Sequence, residues 1–81
     1  MNESIVRAIT PIFREVFDDE SLILTDYLSA TDVKNWDSLN HITLIVELET
    51  FTGLSLSTDE LVNLKNVGDF VQLLADKGFR G

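Results

Sequence analysis

With 81 residues the chain has room for one domain and one modest hydrophobic core, which is too little scaffold for most self-contained enzymes. Fourteen acidic residues against six basic ones give a net charge of −8, which disfavours binding to nucleic acid or to an anionic membrane surface. The lack of cysteine excludes a disulfide framework, a thiolate metal site and a cysteine nucleophile, so any thiol must come from an attached group.

No targeting or membrane-spanning segment is apparent in the sequence. Residues 1–4 lack the basic start and apolar run of a signal peptide, and no stretch reaches the roughly 20 apolar residues of a membrane span. We therefore expect a cytoplasmic monomer that does not insert into membranes. The apolar periodicity predicts a single domain over residues 1–81, with helices at about 3–17, 37–52, 58–63 and 67–77.

The first predicted helix carries an apolar stripe and one interior proline. Asn2 or Ser4 can cap its start. Pro11 lies opposite the stripe, so we expect one helix that bends toward water there. The alternative is a helix that restarts with Thr10 as its cap and Pro11 in its first position. The stripe has spacings of one, three and four and consists of Ile5, Ile9, Ile12, Phe13 and Val16.

An acidic turn follows at residues 18–21, and a long connection then runs from Leu22 to Trp36. The acidic run, residues 18–20, lacks the glycine and spaced oxygens of a calcium loop, so we expect a solvated turn and no metal site. A connection this long in so small a domain is normally either functional or a mistaken assignment. Five apolar side chains are predicted to pin it onto the bundle: Leu22, Leu24, Tyr27, Leu28 and Val33.

The second helix should open at Asp37 or Ser38 and end near Gly53, which readily adopts the left-handed conformation. Projected at about 100° per residue, its apolar side chains form two faces, so we expect the central helix of a bundle, buried on both sides. The first face holds Leu39, Ile42, Ile45 and Val46, and the second holds Leu44, Leu48 and Phe51.

The sequence pattern of the last third of the chain predicts two more helices. Residues 54–56 form an extended linker, after which Ser57 or Thr58 caps a short third helix. Asn66 caps the fourth helix, which Gly78 ends, and residues 79–81 should fray. The predicted fold class is therefore all-α, a small four-helix bundle.

Ser38 is placed where a phosphate would be stabilised. Unpaired N–H groups and the helix dipole at a helix N-terminus favour an anion by about 0.3–1 kcal/mol. On spacing alone, however, a serine here is more often only a helix cap.

The string Asp37-Ser38-Leu39, at the start of a helix rich in Leu, Ile and Val in an acidic chain of this length, resembles the acyl carrier protein family. Residues 64–70 also resemble the approach to the last helix of that family. The resemblance implies a four-helix bundle with a long first loop and a short third helix. It implies a freestanding carrier, not an enzyme, that holds acyl or aminoacyl thioesters on a 4'-phosphopantetheine arm attached to Ser38.

The resemblance also implies partners and recognition residues. A phosphopantetheinyl transferase takes the arm from coenzyme A, and a ligase and downstream transferases or synthases handle the cargo. Asp37 either positions Mg²⁺ and the serine hydroxyl or is a second cap. Leu39 is a partner contact or a core leucine, and Glu47 belongs to the recognition strip. Apart from the resemblance, Trp36 is predicted to anchor the loop or meet a partner, and His41 to be a surface histidine near the attachment point.

Three alternatives stand beside this interpretation. One is a minimal Ser38–His41 hydrolase, since the residues around Ser38 resemble the Gly-Asp-Ser-Leu motif of a hydrolase family, although Trp36 replaces the glycine. Another is an unmodified helical interaction module. The third concerns the pathway: fatty-acid carriers usually have acids along the second helix, and the uncharged Asn40, Thr43 and Thr50 here favour a specialised lipid or secondary-metabolite pathway over housekeeping fatty-acid synthesis.

Overall fold

The computed structural model describes residues 2–62 and 64–81, without the side chains of Thr58 and Val62. Within these ranges the chain forms helices α1 (Glu3–Val16), α2 (Ser38–Thr52), α3 (Thr58–Val62) and α4 (Val67–Asp76). The predicted all-α class, with a long first loop and a short third helix, is confirmed. The predicted end of the third helix at Asn63 lies outside the described residues.

Helix α1 begins at a local capping contact and runs through its proline. The Asn2 side-chain oxygen accepts the N–H of Ile5 at 3.2 Å, which satisfies one of the unpaired donors of the first turn. Pro11 is exposed and lies inside the helix, so the alternative of a restart at Thr10 is wrong. The opposite face buries Ile5, Ile9 and Phe13 completely.

The prediction that α2 is a central helix buried on both sides is wrong. Helix α1 is the one that packs against both α2 and α4. Only one side of α2 enters the core, through Leu44, Ile45 and Leu48. Among the described helices, α1 alone packs closely against α2. Four α2 side chains that we predicted to be buried are exposed: Leu39, Ile42, Val46 and Phe51.

Backbone hydrogen bonds fix the first loop to the start of α4. The N–H of Val67 donates to the Leu28 carbonyl and the N–H of Gly68 to the Asp26 carbonyl, both at 2.9 Å. Three of the predicted anchors, Leu22, Leu24 and Val33, are buried, and Leu28 is half-buried. Tyr27 is 85% exposed, so its predicted anchoring role is wrong. The loop is thus held by backbone contacts as well as by its apolar side chains.

Gly68 is required by the close approach of this loop. A Cβ at Gly68 would lie 2.9 Å from the Asp26 carbonyl oxygen, closer than carbon and oxygen pack. We expect Gly68→Ala to lower the free energy of unfolding by about 1–3 kcal/mol, the usual cost of overpacking. Helix propensity alone would favour alanine by about 1 kcal/mol. Urea unfolding decides between the two effects, and a stabilised variant would contradict the close approach.

The ends of the later helices follow local signals, with one exception at the C-terminus. Gly53 ends α2 at a φ of +73°, and Asn66 caps α4 by accepting the N–H of Asp69 at 2.9 Å. Phe79 is half-buried, its N–H donates to the Leu74 carbonyl at 2.9 Å, and its ring meets that of Phe51 edge-on. The prediction that the tail frays from residue 79 is therefore wrong for Phe79.

Helix α3 is tied to the end of α4 by one charged contact. Ser57 and Glu60 form a reciprocal capping pair, in which each side chain accepts the backbone N–H of the other residue. The Lys77 ammonium lies 3.0 Å from a Glu60 carboxylate oxygen. Hydrogen bonds from the Ser57 backbone and the Lys77 side chain lower the pKa of Glu60 to about 2. Glu60 therefore stays ionised, and its contacts join α3 to the last turn of the bundle.

Candidate functional site

Ser38 is the first residue of α2, and its side chain is exposed. The cap of this helix is Asp37, whose Oδ1 accepts the N–H of Asn40 at 2.8 Å. The capping alternative for Asp37 is confirmed, and the interpretation of Ser38 as the capping residue is wrong. The N–H groups of Ser38 and Leu39 have no acceptor within the helix, so they add partial positive charge beside the hydroxyl.

An aromatic cluster, formed by Phe13, Phe17, Trp36, His41 and Phe70, includes two residues that line a groove together with Ser38, namely Trp36 and His41. The Trp36 ring stacks on Phe17 with centroids 5.0 Å apart and on His41 at 6.2 Å. The Trp36 ring also meets the Phe13 ring edge to face, with centroids 5.9 Å apart. Trp36 is only 8% exposed, so it offers a partner little surface and fixes the loop that leads into α2.

One hydrogen bond within the cluster sets the state of His41. The Trp36 indole Nε1–H donates to His41 Nδ1 at 3.0 Å. Because Nδ1 is the acceptor, the neutral ring carries its proton on Nε2. Neither nitrogen is then available to take a proton from the Ser38 hydroxyl, which argues against the hydrolase alternative. His41 is half-buried, so the expectation of a simple surface histidine is replaced by a member of the cluster.

The state of His41 predicts a pH dependence of stability. Burial lowers the pKa of His41 below its ordinary value of 6.5. As the pH falls, the unfolded chain therefore binds a proton before the folded chain does. The stabilisation that comes from the neutral His41 is fully present above about pH 6.5 and is lost as the pH falls through the pKa of His41 in the folded state. Protonation at Nδ1 would also abolish the bond from Trp36.

Comparison with His41→Gln isolates this effect from the titration of the many carboxylates. We expect the free energy of unfolding of the unmodified sequence, measured between about pH 8 and pH 5, to fall relative to that of the variant. Urea titrations at each pH provide the measurement. Parallel curves for the two proteins would show that His41 titrates equally in the folded and unfolded states.

An apolar stripe extends along the exposed side of α2 from Ser38. It consists of Leu39, Ile42 and Val46, which are 72%, 62% and 52% exposed. The core alternative for Leu39 is therefore wrong. Glu47 is exposed near the stripe, whereas Glu49 is engaged within the fold, where its Oε2 accepts the N–H of Leu56 at 2.9 Å.

A groove of about 550 Å³ opens beside Ser38, between α2 and the end of the first loop. The groove is lined by Ala30, Trp36, Asp37, Ser38, His41 and Ile42.

In the part of the chain that the structure describes, no group of three or more acidic or histidine side chains could hold a metal ion. Over the same residues, none of the helices combines the length and the apolar character needed to cross a membrane.

Comparison with known proteins gives this site its context. The chain is 32% identical to the acyl carrier protein of Acidothermus cellulolyticus over 74 residues, which cover 91% of this chain and 88% of that protein. The chain belongs to the acyl carrier protein family. Acyl carrier proteins of Rickettsia canadensis and Rickettsia rickettsii are each 28% identical over 71 residues, which cover 88% of this chain and 81% of theirs. No protein-family profile matches the sequence.

A solved acyl carrier protein has the same fold. The solution structure of the holo acyl carrier protein of Geobacter metallireducens is 50% identical, with a TM-score of 0.85, and the match covers 89% of this chain and 83% of that one. The predicted family, its 4'-phosphopantetheine cofactor and the expectation of a carrier rather than an enzyme are confirmed by these relatives. This acyl carrier protein therefore works with enzymes that attach the arm and handle its acyl cargo.

Proposed function

We propose that Ser38 is the residue that bears the 4'-phosphopantetheine arm. The observation that supports this most directly is the exposed hydroxyl on the first residue of α2, next to N–H groups that favour a phosphate. In the transfer, a bond forms between Ser38 Oγ and a phosphorus of coenzyme A, and the pyrophosphate bond breaks. Adenosine 3',5'-bisphosphate leaves, and the hydroxyl proton passes to the transferase. When attached, the arm supplies the thiol that forms thioesters with cargo.

Asp37 is the residue best placed to assist this attachment. Its Oδ1 caps α2, which leaves Oδ2 for a Mg²⁺ ion held between the carrier and the transferase. Such an ion would also offset the repulsion between the Asp37 carboxylate and the incoming phosphates. Capping and metal positioning are compatible, because they use different oxygens of the same carboxylate.

Partner enzymes are proposed to bind the α2 surface beside Ser38. The apolar stripe, Leu39, Ile42 and Val46, suits a shallow apolar depression on a partner, and the exposed Asp37 and Glu47 carboxylates suit basic residues at its rim. Trp36 and His41 contribute by holding the N-terminal turn of α2 in place. Because surface charges are screened over about 8 Å at physiological salt, these contacts should be weak and salt-sensitive.

Uncharged residues at three positions of α2 support a specialised pathway: Asn40, Thr43 and Thr50. Thr43 and Thr50 are exposed, and their hydroxyls donate back to the helix carbonyls of Leu39 and Val46 at 3.1 and 3.0 Å. These two positions of the α2 surface therefore carry no charge, although the exposed Glu47 on the same helix does. We infer acyl or aminoacyl transport in lipid or secondary metabolism, with housekeeping fatty-acid synthesis as the alternative. The cytoplasmic location stays a prediction.

Mass spectrometry tests the attachment. The protein is incubated with coenzyme A, Mg²⁺ and a broad-specificity phosphopantetheinyl transferase, and the expected product carries one added arm on the peptide that contains Ser38. A reaction without coenzyme A is the control. An arm on a different residue would contradict the assignment to Ser38. The absence of any adduct with several transferases would contradict the proposal as a whole and favour an unmodified interaction module.

A further inference from the structure

The groove beside Ser38 borders the buried aromatic cluster. Trp36 lines the groove and is also in contact with Phe13, Phe17 and Phe70, which are at most 1% exposed. His41 lines it too and is held by its edge contact with Phe70 and its hydrogen bond to Trp36. A chain that passed from the groove into the core would have to displace a ring and break that hydrogen bond.

The lining of the groove suits a chain that is apolar with occasional carbonyl groups. Ile42, on α2, and Ala30, in the first loop, are exposed and supply apolar lining. The His41 ring lines the same groove, and because its Nδ1 already accepts a hydrogen bond, its Nε2–H can act only as a donor. A pantetheine chain has this composition, since methylene groups alternate with amide carbonyls and end at the sulfur that carries the cargo.

We infer that this groove, and not the bundle core, holds the pantetheine chain, with His41 Nε2–H donating to one of its carbonyl oxygens. The inference rests on the proposed attachment at Ser38, whose side chain forms one wall of the groove. A tether that starts at that wall keeps the effective concentration of the chain high, so a shallow groove is enough to hold it. The thioester then stays on the surface of the carrier, where partner enzymes can reach it.

Nuclear magnetic resonance of the holo protein tests this inference. Protein shown by mass to carry one arm should give cross peaks between arm protons and the methyl groups of Ala30 and Ile42. The exchange of the His41 Nε2 proton with water should slow on attachment of the arm. The buried methyl groups of Leu44 and Leu48 should show no cross peaks to the arm.

Two matched variants sharpen the result. Ile42→Ser should lose the cross peaks between the arm and Ala30, whereas Val46→Ser should keep them, although both residues are exposed on the same helix. Cross peaks to Leu44 or Leu48, or none to the groove in arm-bearing protein, would overturn the inference and leave the attachment at Ser38 intact. Failure to attach any arm would appear by mass beforehand and would overturn the proposed function together with this inference.

Discussion

Ser38→Ala is expected to abolish attachment of the phosphopantetheine arm and to leave the fold unchanged. The variant lacks the only atom of this residue that can form the phosphodiester. Ser38 is exposed and does not cap α2, so the free energy of unfolding should change by less than about 0.5 kcal/mol. Mass spectrometry after incubation with transferase and coenzyme A measures the first effect, and urea unfolding measures the second.

Two control variants separate the hydroxyl from its surroundings. Ser55→Ala, at an exposed serine in the linker before α3, should accept the arm as the unmodified sequence does. Asp37→Ala should lose about 1 kcal/mol of stability with the helix cap and should be modified more slowly, without a complete loss. An arm on the Ser38→Ala protein would place the attachment at another residue.

Trp36→Ala is expected to lower the free energy of unfolding by about 3–5 kcal/mol. The substitution empties the centre of the aromatic cluster, where the indole contacts Phe13, Phe17 and Phe70 and donates to His41. A domain of this length has a total free energy of unfolding of roughly 4–12 kcal/mol, so the substitution should remove a large share of the total stability. Urea or thermal unfolding followed by circular dichroism provides the measurement.

Tyr27→Ala is the matched control for an aromatic side chain in the same loop. Tyr27 is 85% exposed, so its removal should change stability by less than about 0.5 kcal/mol. The loss of stability caused by Trp36→Phe should fall between those of Trp36→Ala and Tyr27→Ala, because this variant keeps a ring in the cluster but loses the hydrogen bond to His41. Equal losses for Trp36→Ala and Tyr27→Ala would show that the cluster does not stabilise the loop.

The sequence by itself determined where the helices begin and end and what kind of protein they form. Asn2, Asp37 and Asn66 cap helices through hydrogen bonds that reach only three residues along the chain. Gly53 ends α2 through its own backbone conformation. Such interactions are local, so the residue types and their spacing are enough to predict them. The same local signals are enough to predict that Ser38 lies at the start of α2, between Asp37 and Leu39.

The tertiary structure decided which apolar residues are buried and what surrounds Ser38. Hydrophobic periodicity marks the apolar sides of α2, but burial depends on which elements reach them. Among the described helices α1 alone packs closely against α2, and Leu39, Ile42 and Val46 are exposed. Likewise, nothing in the spacing of Trp36 and His41 indicates that their rings stack and share a hydrogen bond. These contacts depend on Phe13, Phe17 and Phe70, which lie far away in sequence and meet only when the bundle folds.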